Sequence, residues 1–107
     1  DQRTIVVEKR RPVYIPSAFS PNGDGHNDFL TVFGGNEVQV IKTFRVFNRW
    51  GALLFELEEF QPNFESEGWN GTFKDKIAQT GVYIYFAEVE FVDGVKEIYK
   101  GTVTLFR

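Results

Sequence analysis

Between Ser20 and Asp28 the chain reads Ser-Pro-Asn-Gly-Asp-Gly-His-Asn-Asp, and Asn22, Asp24, Asn27 and Asp28 place four hard-oxygen side chains in one short stretch. Such a set suits Ca²⁺, which takes oxygen ligands at about 2.3–2.6 Å. The spacing is not that of an EF-hand. Counted from Asn22 as the first position, Asn27 stands where the sharp turn needs glycine, and Phe33 where the bidentate glutamate belongs. The same residues also work without an ion, because Gly23 and Gly25 admit positive φ while Asn and Asp bond back to their own backbone. Asx-turns alone account for most such loops, so the expectation is an ordered polar loop, with Ca²⁺ at Asn22, Asp24, Asn27 and Asp28 as the sharper alternative.

Other residue types capable of chemistry are sparse. His26 is the single histidine and lies in this loop, away from any serine–histidine–aspartate pattern, and cysteine is absent. Nucleophile, base and orienting group therefore never come together. Glu56, Glu58, Glu59, Glu65 and Glu67 resemble a glycosidase pair on paper only; a solvated acidic loop is the expectation. Arg49-Trp50 has the composition of an exposed docking pair. The favoured alternative puts Trp50 in the core, with a guanidinium stacked on an aromatic ring within the sheet. Trp69, between Gly68 and Asn70, either plugs the end of the fold or stacks on a ligand such as a sugar ring; plugging is favoured, since large aromatics bury most of their surface.

These residues need a scaffold, and the hydrophobic pattern indicates strands. Val13-Tyr14-Ile15 between prolines, with Thr4–Glu8 before it, reads as an edge strand or a docking linker. Phe29–Phe33 reads as a short strand and Val40–Trp50 as a long one, with Val40, Phe44, Val46 and Trp50 on one face, interrupted by Lys42 and Asn48. Leu53, Phe55 and Leu57 pair back across a bend at Gly51, and 58–81 reads as loop. Tyr83, Tyr85, Ala87, Val89 and Phe91 alternate with their neighbours up to Asp93-Gly94, the signature of a two-residue type I′ turn. The return strand from Val95 is expected to bulge at Lys100-Gly101 and to continue with Val103 and Leu105 on one face.

About seven short strands without a helical period give an all-β chain, an antiparallel two-sheet sandwich of immunoglobulin-like type. The 107 residues fit one domain, and eighteen aromatics (12 Phe, 4 Tyr, 2 Trp) suit sheets packed face to face. Residues 1–15 are expected to form the edge strand or a linker from a preceding domain, and 16–107 the domain proper. Methionine is missing even at position 1, which points to a module of a longer polypeptide. A net charge of −3 with scattered lysines and arginines leaves no basic face for nucleic acid, and no apolar run is long enough to span a membrane.

Four blocks carry a resemblance. Pro16–Asp28 resembles the opening signature of the gliding-motility-associated C-terminal domain, the type B sorting domain of the type IX secretion system of Bacteroidetes. Phe47-Asn48-Arg49-Trp50-Gly51 resembles its central block and Gly68-Trp69-Asn70-Gly71 its Trp-x-Gly block. Gly81–Tyr85 with Gly101–Leu105 resembles its closing hairpin, and the match spans Pro16 to Arg107. Ser17 stands where the family more often has Asn, and Asn70 where Asp is frequent; neither change blocks the turn chemistry. The order of the blocks is more specific than any one of them.

The resemblance implies a sorting module, not an enzyme, that directs a large passenger through the type IX machinery to the cell surface or medium. Its partners would be the translocon and outer-membrane shuttle or anchoring components, with the domain itself monomeric. The motif residues implied in recognition are Asn22, Gly23, Asp24, Gly25, Asn27, Asp28, Asn48, Arg49, Trp50, Gly51, Trp69 and Gly71. The competing class is an adhesive or carbohydrate-binding sandwich, which an exposed Trp69 would favour and a buried one would not.

Overall fold

In the computed structural model of the chain, residues 12–23, 28–64 and 67–107 are described. Among them there are nine strands and no α-helix: β1 (Val13–Tyr14), β2 (Ala18–Phe19), β3 (Phe33–Gly34), β4 (Val38–Phe47), β5 (Leu53–Phe60), β6 (Thr72–Phe73), β7 (Lys76–Ile77), β8 (Gly81–Phe91) and β9 (Lys96–Leu105). The protein is all-β, as the alternation of its apolar residues requires. The expected Thr4–Glu8 strand lies outside the described residues.

Three long, aromatic-rich and β-branched segments, β4, β8 and β9, form the centre of a five-stranded sheet in the order β2-β9-β8-β4-β5. Its pairings are antiparallel except at the β2 edge, which runs parallel to β9. One face of this sheet buries Ile41, Phe44, Val46, Tyr83, Ala87, Val89, Phe91, Val103 and Leu105. Packed in the same cluster are Phe19, Leu30, Val32 and Trp69, with Val13, Ile15 and Ala78 at its margin. The covering layer is irregular, made from short pieces: β1 pairs β3, β6 pairs β7, and Leu30 bridges Trp69. Phe29–Phe33 was expected to be a strand; of it only Leu30, through a bridge, and Phe33 pair, and Leu30, Thr31 and Val32 are all buried. Three successive buried residues do not fit a strand with one face in solvent.

The face expected for β4 is also corrected. Against β8, the register slips by one residue between Val38 and Val40 and again between Ile41 and Thr43. Each slip puts an extra β4 residue opposite one partner and reverses which parity faces the core. Ile41 is therefore buried together with Phe44 and Val46, Val40 is only half-buried, and Trp50 lies beyond the strand with 78% of its surface exposed. Glu56, Glu58 and Glu59 stand on β5 instead of in a loop. Two of them make cross-strand pairs, Arg45 Nε to Glu56 Oε2 at 2.7 Å and Lys42 Nζ to Glu59 Oε2 at 2.6 Å.

Gly101 does not form a bulge. It pairs with Tyr85 in an unbroken β8–β9 ladder, and a Cβ there would lie 2.7 Å from the Tyr85 hydroxyl oxygen. Glycine in a strand can mark close approach as well as a bulge, and here the tyrosine ring occupies the space.

Candidate functional site

The central motif Asn48-Arg49-Trp50-Gly51 is a hairpin tip whose backbone explains its composition. Gly51 N–H donates to Asn48 O (3.0 Å) and Asn48 N–H to Ala52 O (2.9 Å), closing a three-residue loop with Gly51 at φ +91°. This is a type I turn followed by a left-handed bulge residue, where glycine avoids the Cβ penalty. The Asn48 Oδ1 accepts from the N–H groups of Trp50 (3.0 Å) and Ala52 (2.9 Å). Asn48 and Gly51 thus hold the turn, which leaves Arg49 and Trp50 free to project. The Arg49 guanidinium lies 4.9 Å from the centre of the Trp50 ring. The stacking belongs to the expected alternative, but the pair sits in solvent and not in the core.

The Gly68-Trp69-Asn70-Gly71 block is architectural. A Cβ on Gly68 would meet Leu30 O and Thr31 Oγ1, both within 2.5 Å. That close approach lets Trp69 exchange backbone hydrogen bonds with Leu30 (2.8 and 3.0 Å). The Trp69 ring is buried between Phe19 and Tyr83, with centroids at 5.5 and 5.1 Å, and its Nε1–H donates to Thr72 O at 2.8 Å. Asn70 Oδ1 accepts from the backbone N–H and the hydroxyl of Thr72. Gly71 takes φ +81° with Pro21 and Arg107 close by.

In the Ser20–Asp28 loop, Asp28 Oδ1 accepts from the N–H groups of Asn22 (3.1 Å) and Gly23 (3.0 Å), and Asn22 N–H also donates to Ser20 O. One carboxylate oxygen therefore serves the backbone, which is the behaviour of an Asx-type loop. Asp24, Gly25, His26 and Asn27 lie outside the described residues. Among the described residues no cluster of three or more His, Cys, Asp or Glu is arranged for a metal ion.

A hairpin stands within the 58–81 stretch that was expected to be loop. Between β6 and β7, Lys74 (φ 54°) and Asp75 (φ 65°) both take left-handed backbone, so this is the type I′ turn, built without Asn or Gly. Asp93-Gly94, where that turn was expected, has positive φ only at Gly94, and Phe91–Val95 closes as a three-residue loop like that at Asn48. Ala78 N–H donates to Gly71 O at the base of the β6–β7 hairpin, and Arg107 Nη2 donates to Gly71 O (3.0 Å) and Ala78 O (3.1 Å), clamping it.

Between this hairpin and the Asn48–Gly51 tip lies a groove of about 470 Å³. Arg49, Trp50 and Leu54 line one side, Phe73, Lys74, Lys76 and Ile77 the other, and the stretch from Ala78 to Tyr83 joins them. Leu54 is the extra residue where the β4–β5 register shifts, a bulge placed where it re-aims a side chain. Burial raises the pKa of the Tyr83 hydroxyl above its ordinary 10.0, opposed by the charges of Arg107 and Arg49. All four sequence blocks meet at this end of the sheet: Phe19 and Pro21 from the first, Asn48–Gly51 from the second, Trp69 and Gly71 from the third, Gly81–Tyr83 from the fourth. Phe73, Lys74, Lys76 and Ile77 were missed in the sequence. The one signal for them was the pair of β-forming ends, Thr72-Phe73 and Ile77, around a charged turn.

Comparison with known families matches residues 13–105 to the CHU_C type IX secretion signal domain. The chain belongs to this family of secretion signal domains, whose role is sorting and not catalysis. No curated protein matches the chain. A type IX secretion signal implies interaction with the secretion machinery and export to the cell surface or medium. Among the described residues no helix is long and apolar enough to cross a membrane.

Proposed function

We propose that the chain is a sorting tag which carries a passenger protein through the type IX translocon, and that the end of the sheet holding the four sequence blocks is the surface the machinery reads. The observation that carries this reading is the family match over residues 13–105. The geometry supports it by dividing labour within the motifs. Gly51, Gly68, Trp69 and Gly71 shape the backbone and core, while Arg49 and Trp50 are presented to solvent. An exposed Trp69 would favour the carbohydrate-binding alternative, and that residue is 1% exposed.

The test is a fusion of residues 1–107 to a periplasm-directed reporter in a host with the type IX machinery. The reporter is expected outside the cell. Deleting Thr102–Arg107 is expected to retain it, because the deletion removes Val103 and Leu105 from the core and Arg107 from the Gly71–Ala78 hairpin. A fusion that folds and stays in the periplasm of a competent host defeats the sorting reading.

A further inference from the structure

The groove between the Asn48–Gly51 tip and the β6–β7 hairpin has a charge opposite to that of the molecule. The chain carries a net −3, yet the groove is lined by Arg49, Lys74 and Lys76 and by no aspartate or glutamate. None of the three cations makes an ion pair among the described residues; the charges of Arg49 and Lys74 rest instead against the rings of Trp50 and Phe73. Around these charges the surface is apolar, with Trp50, Phe73, Ile77 and Val82 all exposed. An isolated apolar side chain on a surface is ordinary, but a contiguous set rimmed by charge marks an interaction site. Arginine and tryptophan are also the side chains that most often dominate binding energy.

Backbone strain points to the same place. Lys74 and Asp75 both occupy left-handed conformations, and Lys74, unlike Gly, Asn or Asp, adopts that backbone only at a cost. Asn-Gly would form this turn at less cost. Sparsely populated backbone conformations collect where a surface is shaped for a ligand, and here the turn holds Phe73 and Lys76 on the groove wall.

We propose that this groove is the docking site for an extended segment of a partner protein in which acidic residues alternate with large apolar ones. The partner's carboxylates meet Arg49, Lys74 and Lys76, and its apolar side chains enter between Trp50, Ile77 and Val82. The volume lies within the usual range of binding pockets, about 300–1,000 Å³. A neutral glycan fits less well, since the lining has cations and apolar groups and few amides for hydroxyls. A second copy of the chain fits less well too: Glu56 and Glu59 of its acidic β5 edge are already paired with Arg45 and Lys42. The proposal rests on the sorting reading for where the partner resides, in the export machinery.

The two tryptophans make the test direct, because Trp50 is exposed and Trp69 is not. A blocked heptapeptide alternating Glu with Leu and Phe is titrated against the chain while Trp emission is followed, beside the same peptide with Lys for Glu and a uronic-acid hexasaccharide. The acidic peptide is expected to bind at least about tenfold more tightly than the basic one, and to weaken severalfold as NaCl rises from about 50 to about 300 mM. The variant Arg49→Glu/Lys74→Glu/Lys76→Glu is expected to lose about tenfold or more in affinity at an unchanged melting temperature, and its reporter fusion to remain in the periplasm. If the triple change unfolds the chain, Lys74→Glu alone and the salt series give the same reading. Equal binding of the two peptides, binding of the hexasaccharide in place of the peptide, self-association that blocks the groove, or full export of the folded triple variant would overturn the proposal. Retention of the parent fusion sinks the sorting reading instead, whatever the peptide does.

Discussion

The main sheet ends in two hairpin tips with the same backbone. At Asn48–Ala52 and at Phe91–Val95 a type I turn is followed by a left-handed glycine, with φ +91° at Gly51 and +90° at Gly94. In each, a side-chain carboxyl or amide oxygen supports the turn, Asn48 Oδ1 in one and Asp93 Oδ1 toward Val95 N–H in the other. Their surroundings differ. The first faces the β6–β7 hairpin across a groove and carries Arg49-Trp50; the second carries Val92-Asp93 at the opposite end of β4 and β8. Turn chemistry therefore does not distinguish the two tips. What sets the first apart is a second element, held by Arg107 and Trp69, that stands opposite it and forms a groove.

The strongest way to break this contrast is to remove the support of that second element. Trp69→Ala deletes a buried ring that packs on Phe19 and Tyr83, and should destabilise the chain by about 3–5 kcal/mol in denaturant titration. The equivalence of the two tips is tested next. Gly51→Ala and Gly94→Ala each force a Cβ into left-handed backbone with open space around it, and each should cost about 1–2 kcal/mol. If one is neutral, the tips are not equivalent. Relieving the strained turn sharpens the comparison from the other side: Lys74→Asn with Asp75→Gly should raise stability by about 0.5–1 kcal/mol while weakening acidic-peptide binding through the loss of Lys74. Trp50→Ala should shift stability by no more than about 0.5 kcal/mol, because the ring is exposed, yet remove the salt-sensitive emission change on peptide binding.

The smallest effect is one of pH. The folded-state pKa of Tyr83 is raised, so the folded state holds the phenolic proton more tightly than the unfolded chain. The resulting stability is present below pH 10 and lost as pH rises through the folded-state pKa. Tyr83→Phe should flatten part of the alkaline fall in melting temperature, and an unchanged profile would show that Tyr83 is not its source.

Much of the fold was legible in the sequence because it is local. Tyr83 to Phe91 alternates cleanly, since one face of β8 packs on the core, with Tyr83, Ala87, Val89 and Phe91 buried and Tyr85 half-buried, and Val103 and Leu105 follow the same rule on β9. On β4 the alternation failed at Gln39 and Lys42, where the register slips against β8. A slip is decided by the partner strand; Lys42 showed in the sequence only as an interruption of the apolar face, and Gln39 showed nothing. The β6–β7 hairpin was missed because Lys74 is a poor residue for its turn and no glycine follows it: tertiary support from Arg107 and Gly71 carries a conformation that local propensity at Lys74 disfavours.

The two tryptophans define the division most clearly. By itself the sequence determined the all-β class, the bend at Gly51 and the family, because alternation, the backbone freedom of glycine and block order are properties of neighbouring residues. Burial was expected of both tryptophans, and it holds for Trp69 but not for Trp50. Trp69 is buried because Gly68 allows its backbone to close on Leu30 while Phe19 and Tyr83 arrive from distant strands. Trp50 is exposed because β4 ends at Phe47 and the turn carries it past the edge of the sheet. Burial depends on what packs from elsewhere in the chain, and that was decided only when the strands assembled.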